Sequence, residues 1–164
     1  MSDDARRIQI AQEDRAFISG GFQAAVAAQY AAVGIECLAA ATAHTVIKRI
    51  AVSLSVANST VRLYSIPGAF TTGGVLPIMQ KGQGLIHAAV NTKMRTSANA
   101  VLASIFTGGG ASTGPTFRVG AAYKNVELIL DCPIILRPDS GIMIVCSVVN
   151  QGISGLIEWE ELGG

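Results

Sequence analysis

Apolar residues in the middle and at the end of this chain recur at every second position, and that period constrains the fold more than any other feature. Val46, Ile50, Val52, Leu54 and Val56 fall on one side of an extended chain, with Arg49, Ser53 and Ser55 on the other. Near the C-terminus Ile153, Ile157 and Trp159 share a side, with Glu158 and Glu160 opposite. Successive side chains of a β-strand point to opposite faces, so each run predicts a strand with one face in a core. Lys48 interrupts the first row and predicts a sheet edge there. Ala57-Asn58-Ser59 is a turn into a strand over 61–66, closed by Pro67-Gly68, and the two strands are expected to form a β-hairpin. Further strands are expected over 84–92, 100–106, 117–123, 126–130, 134–136, 142–149 and 153–162. Roughly eight to ten short strands joined by Gly and Pro turns predict an all-β protein, an antiparallel, jelly-roll-like β-sandwich.

Residues 24–41 fit two periods. Val26, Tyr30, Val33 and Cys37 have helical spacing, whereas Val33, Ile35 and Cys37 alternate as a strand does. The reading adopted is weak structure over 24–32 and a first strand over 33–40.

Charge is segregated. Asp3, Asp4, Arg6, Arg7, Glu13, Asp14 and Arg15 crowd the first fifteen residues, and the other 149 hold sixteen charged side chains. Residues 1–20 therefore read as a charged N-terminal arm ending in a Gly20-Gly21 hinge, and 21–164 as a single β-sandwich domain. About 11% charge in the body, where roughly 25% is usual, leaves too few polar groups to cover a free monomer, so subunit contacts are expected. Arg6, Arg7, Arg15 and Phe17 of the arm are candidates for contact with another chain. The run Ile142-Met-Ile-Val-Cys-Ser-Val-Val149 is apolar on both faces, which makes Met143 and Val145 candidates for cover by a second sheet or a neighbouring subunit.

Residues that carry chemistry are sparse. His44 and His87 stand apart from each other, with no Cys or carboxylate at ligand spacing. Cys37, Cys132 and Cys146 are odd in number and predict free thiols, Cys146 a buried one, in keeping with a reducing cytoplasm. No Ser occupies a G-x-S-x-G elbow. Gly82-Gln83-Gly84-Leu85-Ile86-His87 lacks the third Gly of a dinucleotide loop, and the Gly108–Pro115 stretch lacks the Lys of a phosphate loop. Glu158 and Glu160 share one strand face and Glu161 points the other way, so a glycosidase pair across a cleft is not expected. Trp159 reads as core. Net charge is +1, without a basic stripe for nucleic acid. The N-terminus is charged where a signal peptide is apolar, and no apolar run spans a bilayer. The expectation is a protein that is not an enzyme and binds no cofactor, metal, nucleic acid or membrane.

Cys132-Pro-Ile-Ile-Leu-Arg-Pro-Asp-Ser-Gly-Ile-Met-Ile-Val-Cys-Ser-Val-Val-Asn-Gln-Gly, followed by Gly155-Leu-Ile-Glu-Trp-Glu-Glu161, resembles small β-sandwich structural proteins of tailed bacteriophages. Those carry an apolar strand, a Leu-Pro-Pro-Gly-x-Gly-like hairpin, a second apolar strand and a terminal strand with Trp before acidic residues. Here Leu136-Arg-Pro-Asp-Ser-Gly141 keeps the second Pro and has Asp139 where the following Gly stands. Residues 46–55 look like their first long strand. The resemblance covers about half of the chain and has no catalytic signature. It implies a virion protein assembled in the host cytoplasm: a capsid decoration (cement) protein, a tail or neck accessory, or a head fibre. The implied partners are further copies of the chain, as a trimer, and the major capsid protein or another virion protein. The alternative is a tail-tip or receptor-binding module whose loops contact host glycans.

Overall fold

The computed structural model describes residues 5–6, 15–68, 70, 72–81, 86–87, 91–102, 105, 112–128 and 132–163. It is an all-β sandwich of two antiparallel sheets, as the period of two predicts. The strands are β1 (Ala16–Gln23), β2 (Tyr30–Cys37), β3 (Ala43–Leu54), β4 (Ser59–Pro67), β5 (Gly74–Leu76), β6 (Ile78–Gln80) and β7 (Ile86–His87). After these come β8 (Thr92–Asn99), β9 (Ser112–Val119), β10 (Val126–Leu128), β11 (Ile134–Leu136), β12 (Ser140–Cys146) and β13 (Ile153–Gly163). The first sheet runs β10-β3-β13-β1-β6-β7, with β11 also on β3; the second runs β5-β8-β2-β12-β4-β9.

The core between the sheets is built from the alternating positions. Ile50, Val52, Leu54, Ile153, Ile157 and Trp159 of the first sheet meet Val33, Ile35, Val61, Met94, Ile142 and Ile144 of the second. Burying each such side chain stabilises the fold by about 1.5–3 kcal/mol. Trp159 is 1% exposed and stacks on Phe17 with ring centroids 5.8 Å apart, so it belongs to the core.

Several sequence expectations change. The stretch over 16–20, assigned to the arm, is the first half of β1, a central strand between β13 and β6. Gly20 and Gly21 are no hinge. They lie inside β1, and a Cβ on Gly21 would stand 2.5 Å from Leu76 Cδ1. Lys48 marks no edge, because β3 is flanked by β13 and by β10 with β11. Its break in the apolar row is a β-bulge. Glu158 pairs with Arg49 and Trp159 with Ile47, so Lys48 is the extra residue and the inward row passes to Ile47. The hairpin expected around residue 57 is an arch, since β3 and β4 lie in different sheets; so is the Leu136–Gly141 connection between β11 and β12. A strand that buries one face has the same period whether its successor pairs beside it or faces it across the core.

The strand expected over 100–106 is shifted. β8 ends at Asn99, and Val101, Leu102 and Ile105 continue outside any strand. Leu102 and Ile105 instead help to cover the outer face of the second sheet, as does Phe70. Phe70 sits in a socket made by two absent side chains: a Cβ on Gly34 or on Gly141 would each come within 2.8 Å of its ring. Its backbone N–H donates to the buried Glu36 carboxylate, which also accepts from Arg95 Nε at 3.0 Å. Thr72 Oγ1 and Ser97 Oγ both donate to the Ile105 carbonyl, at 3.1 and 3.3 Å. These bonds tie the cover to the sheet beneath it.

Candidate functional site

Met143 and Val145, candidates for an interface, are 1% and 0% exposed within the single chain. Phe70 and Ile105 cover them and Tyr64 and Ile66 of the adjacent β4 flank them, so both side chains are buried within the single chain. Phe17 is 5% exposed and is occupied by Trp159. Of the three arginines, Arg6 is exposed, and Arg15 is partly buried with its carbonyl accepting from the Glu161 N–H at 2.9 Å. Arg7 lies outside the described residues, as do 82–85 and 108–111 of the two glycine-rich stretches. Phe17 belongs to the core between the sheets, whereas Met143 and Val145 belong to the cluster on the outer face of the second sheet.

Among the described residues, those capable of chemistry are dispersed or engaged. Among the described residues no three of His, Cys, Asp and Glu converge on a point where a metal could sit. Glu158 and Glu160 lie on the outer face of the first sheet, where Glu158 is bridged by Arg49 at 3.0 Å and Lys81 at 2.7 Å, and Glu160 by Lys48 at 3.1 Å. Glu161 points inward, as its parity predicts, and accepts from Asn91 Nδ2 at 2.7 Å and Thr92 Oγ1 at 3.0 Å. That carboxylate pins the start of β8 to the end of β13 across the sandwich. Cys37 and Cys146 are buried and Cys132 is exposed, all as free thiols. Burial pushes the Cys146 thiol up to about 12 and raises that of Cys37, which keeps both in the unreactive protonated form.

The surface with the most unusual composition is one end of the sandwich. There β1 leads into β2 through 24–29, β3 into β4 through 55–58, β9 into β10 through 120–125, and β12 into β13 through 147–152. These four connections contain one charged residue, Lys124. They expose Val26, Val56, Tyr123 and Val148, and Phe22 at the end of β1 is exposed beside them. Tyr123 is 75% exposed and Phe22 56%. Surface connections normally carry polar and charged groups, so a nearly uncharged end with several apolar tips is a candidate contact surface.

Hydrogen bonds lock the four connections to one another. Ser55 N donates to the Gly152 carbonyl at 3.0 Å, and Gly152 N to Ser55 Oγ at 2.8 Å. Ala28 N donates to Asn150 Oδ1 at 2.7 Å, Asn150 N to the Gln29 carbonyl at 3.1 Å, and Tyr123 N to the Leu54 carbonyl at 2.8 Å. Beneath them the buried Ser59 hydroxyl donates to Gln151 Oε1 at 2.8 Å. Four of the five described non-glycine residues in the left-handed region, Ala28, Asn58, Tyr123 and Asn150, lie here, with φ of 58°, 54°, 57° and 62°. Asn tolerates that region, but for Ala and Tyr it costs about 1–2 kcal/mol each. The bonded framework holds that strain, and a surface fixed before contact loses little entropy on binding. From the sequence only 57–59 was expected to turn, whereas 24–29 was expected to be weakly structured and 120–123 and 147–149 to continue strands that end at Val119 and Cys146. The available signal was their shared lack of charge, and only the topology shows that they meet. No known family's sequence profile and no curated protein matches this chain.

Proposed function

We propose that this chain is a structural part of a larger assembly: a capsid decoration protein of the tailed-phage kind that its C-terminal third resembles. In this reading the loop end seats on the major capsid protein or another virion protein. The observation that carries the reading is the rigid, nearly uncharged loop end, whose exposed Phe22, Val56 and Tyr123 suit the apolar centre of a protein–protein contact. The near-absence of charge there suits a contact that is dry at its centre. The resemblance supplies the class of partner.

The test uses virions whose genome encodes this chain. Purified protein is added to heads lacking it, and bound protein is measured after sedimentation. The wild type should bind to saturation, and a Val56→Asp/Tyr123→Asp variant at least tenfold less tightly with its melting temperature unchanged. Absence of the chain from virions, or equal binding by the variant, overturns the reading. Tyr123 is the one strongly exposed aromatic of the four connections, and it favours a second reading in which the same end stacks on a host glycan. Glycan-array binding by the wild type that Tyr123→Ala abolishes would establish that reading instead.

A further inference from the structure

The outer face of the first sheet is divided. One part is an ion-pair network in which Arg49 joins Glu127 at 2.7 Å and Glu158 at 3.0 Å, and Lys81 joins Glu158 at 2.7 Å. The other part is apolar. Ile18 pairs with Met79 across β1 and β6, and Gly20 pairs with Leu156 across β1 and β13. Because Gly20 has no side chain, Ile18, Met79, Pro77 and Leu156 border a trough of about 250 Å³. No described residue fills it, and Met79 on its rim is 42% exposed. It opens beside the network, since Ile18 also pairs with Glu158.

We infer that this trough receives residues 7–14 of a second copy of the chain. Residues 7–14 span at most about 28 Å when extended. Apart from Met1, their bulky apolar side chains are Ile8 and Ile10, with Arg6-Arg7 on one flank and Glu13-Asp14 on the other. Two aliphatic side chains between charged flanks match an apolar trough bordered by charges of both signs. A return to the chain's own trough would need a reversal within Ala11-Gln12-Glu13-Asp14-Arg15, where Asp14 is the one residue of a type that favours turns. Arg15 is already held in line with β1, its carbonyl accepting from the Glu161 N–H and that of Ala16 from the Lys81 N–H. An arm-to-trough contact joins unlike surfaces, so it closes a ring when the rotation between copies permits. It buries apolar surface that the charge-poor body leaves exposed. The inference concerns contacts between copies and does not rest on the loop end or on the class of assembly.

The test is cross-linking of full-length protein in a Cys132→Ser background. One preparation carries Ile10→Cys and a second, lacking residues 2–14, carries Met79→Cys. Met79 is 42% exposed, and circular dichroism checks the fold of both preparations. Mixing the two under mild oxidation should give a covalent heterodimer, reduced at least tenfold when Leu156→Glu is added to the second preparation. Light scattering of the wild type should show a species above 16.9 kDa, and the protein lacking residues 2–14 only its own, slightly smaller, monomer mass. A heterodimer that forms equally with Leu156→Glu, or fails to form, overturns the inference. So does a double-cysteine chain that cross-links only within itself, or a wild type of 16.9 kDa at micromolar concentration and after tenfold dilution.

Discussion

Replacing Phe70 by Ala empties the socket between Gly34 and Gly141, and the cost measures how firmly the cover over the second sheet is held. Phe70 is 5% exposed, and large-to-small changes at buried Phe cost about 3–5 kcal/mol. The cover is a surface segment that collapses partway into the void, which places the expected loss near the lower bound, about 3 kcal/mol. For a chain of this size each kcal/mol lowers the melting temperature by about 2–4 °C, so a fall of about 6–12 °C is expected. The complementary change is Gly34→Ala, whose Cβ would stand 2.8 Å from Phe70 Cε2 and 3.0 Å from the Ile142 carbonyl oxygen. Overpacking of this kind costs about 1–3 kcal/mol. In the double variant the ring is gone and only the carbonyl contact remains, so the two losses should sum to at least about 1 kcal/mol more than the double variant shows. Urea denaturation followed by fluorescence of the single Trp159 in the core reads all three variants. A Phe70→Ala loss below about 0.5 kcal/mol, or strictly additive losses, would refute the socket as a stabilising contact.

Val145→Asp places a carboxylate where the side chain is fully buried, and it should cost several kcal/mol; a soluble variant with unchanged melting temperature would contradict the packing. A thiol reagent should modify Cys132 in the native protein and reach Cys37 and Cys146 only after unfolding, a difference that mass spectrometry before and after denaturant checks. Burial raises the Glu158 carboxyl, but the hydrogen bonds and charges of Lys81 and Arg49 together outweigh it and hold the group below its ordinary value of 4.5. A depressed folded-state value means that this contribution is complete above the ordinary value and lost as pH falls through the folded one. Stability should therefore fall in that acid range, and by less in Lys81→Ala. Because both cations are over 40% exposed the difference should stay below about 1 kcal/mol, and equal acid profiles of the two proteins would contradict the pairing.

What the sequence determined by itself is the local geometry. The alternation along Ile153, Ile157 and Trp159 specifies a strand and says which side chains enter a core. The parity of Glu158, Glu160 and Glu161 assigns each carboxylate its face, and the apolar surroundings of Cys146 put its thiol inside. These properties follow from the pleat, which acts over neighbouring residues. Whatever depends on which strand lies beside which was decided by tertiary structure. Lys48 reads as an edge residue until the pairing with β13 shows a bulge. Phe17-Ile18-Ser19-Gly20-Gly21 reads as the end of an arm until β13 and β6 close on either side of it. Met143 and Val145 are apolar for the reason inferred, but their cover comes from Phe70 and Ile105 of the same chain. The loop end is the clearest case: its four connections are spread from residue 24 to residue 152, and no local pattern links them. They form one surface because the arches between the two sheets return the chain repeatedly to the same end of the sandwich.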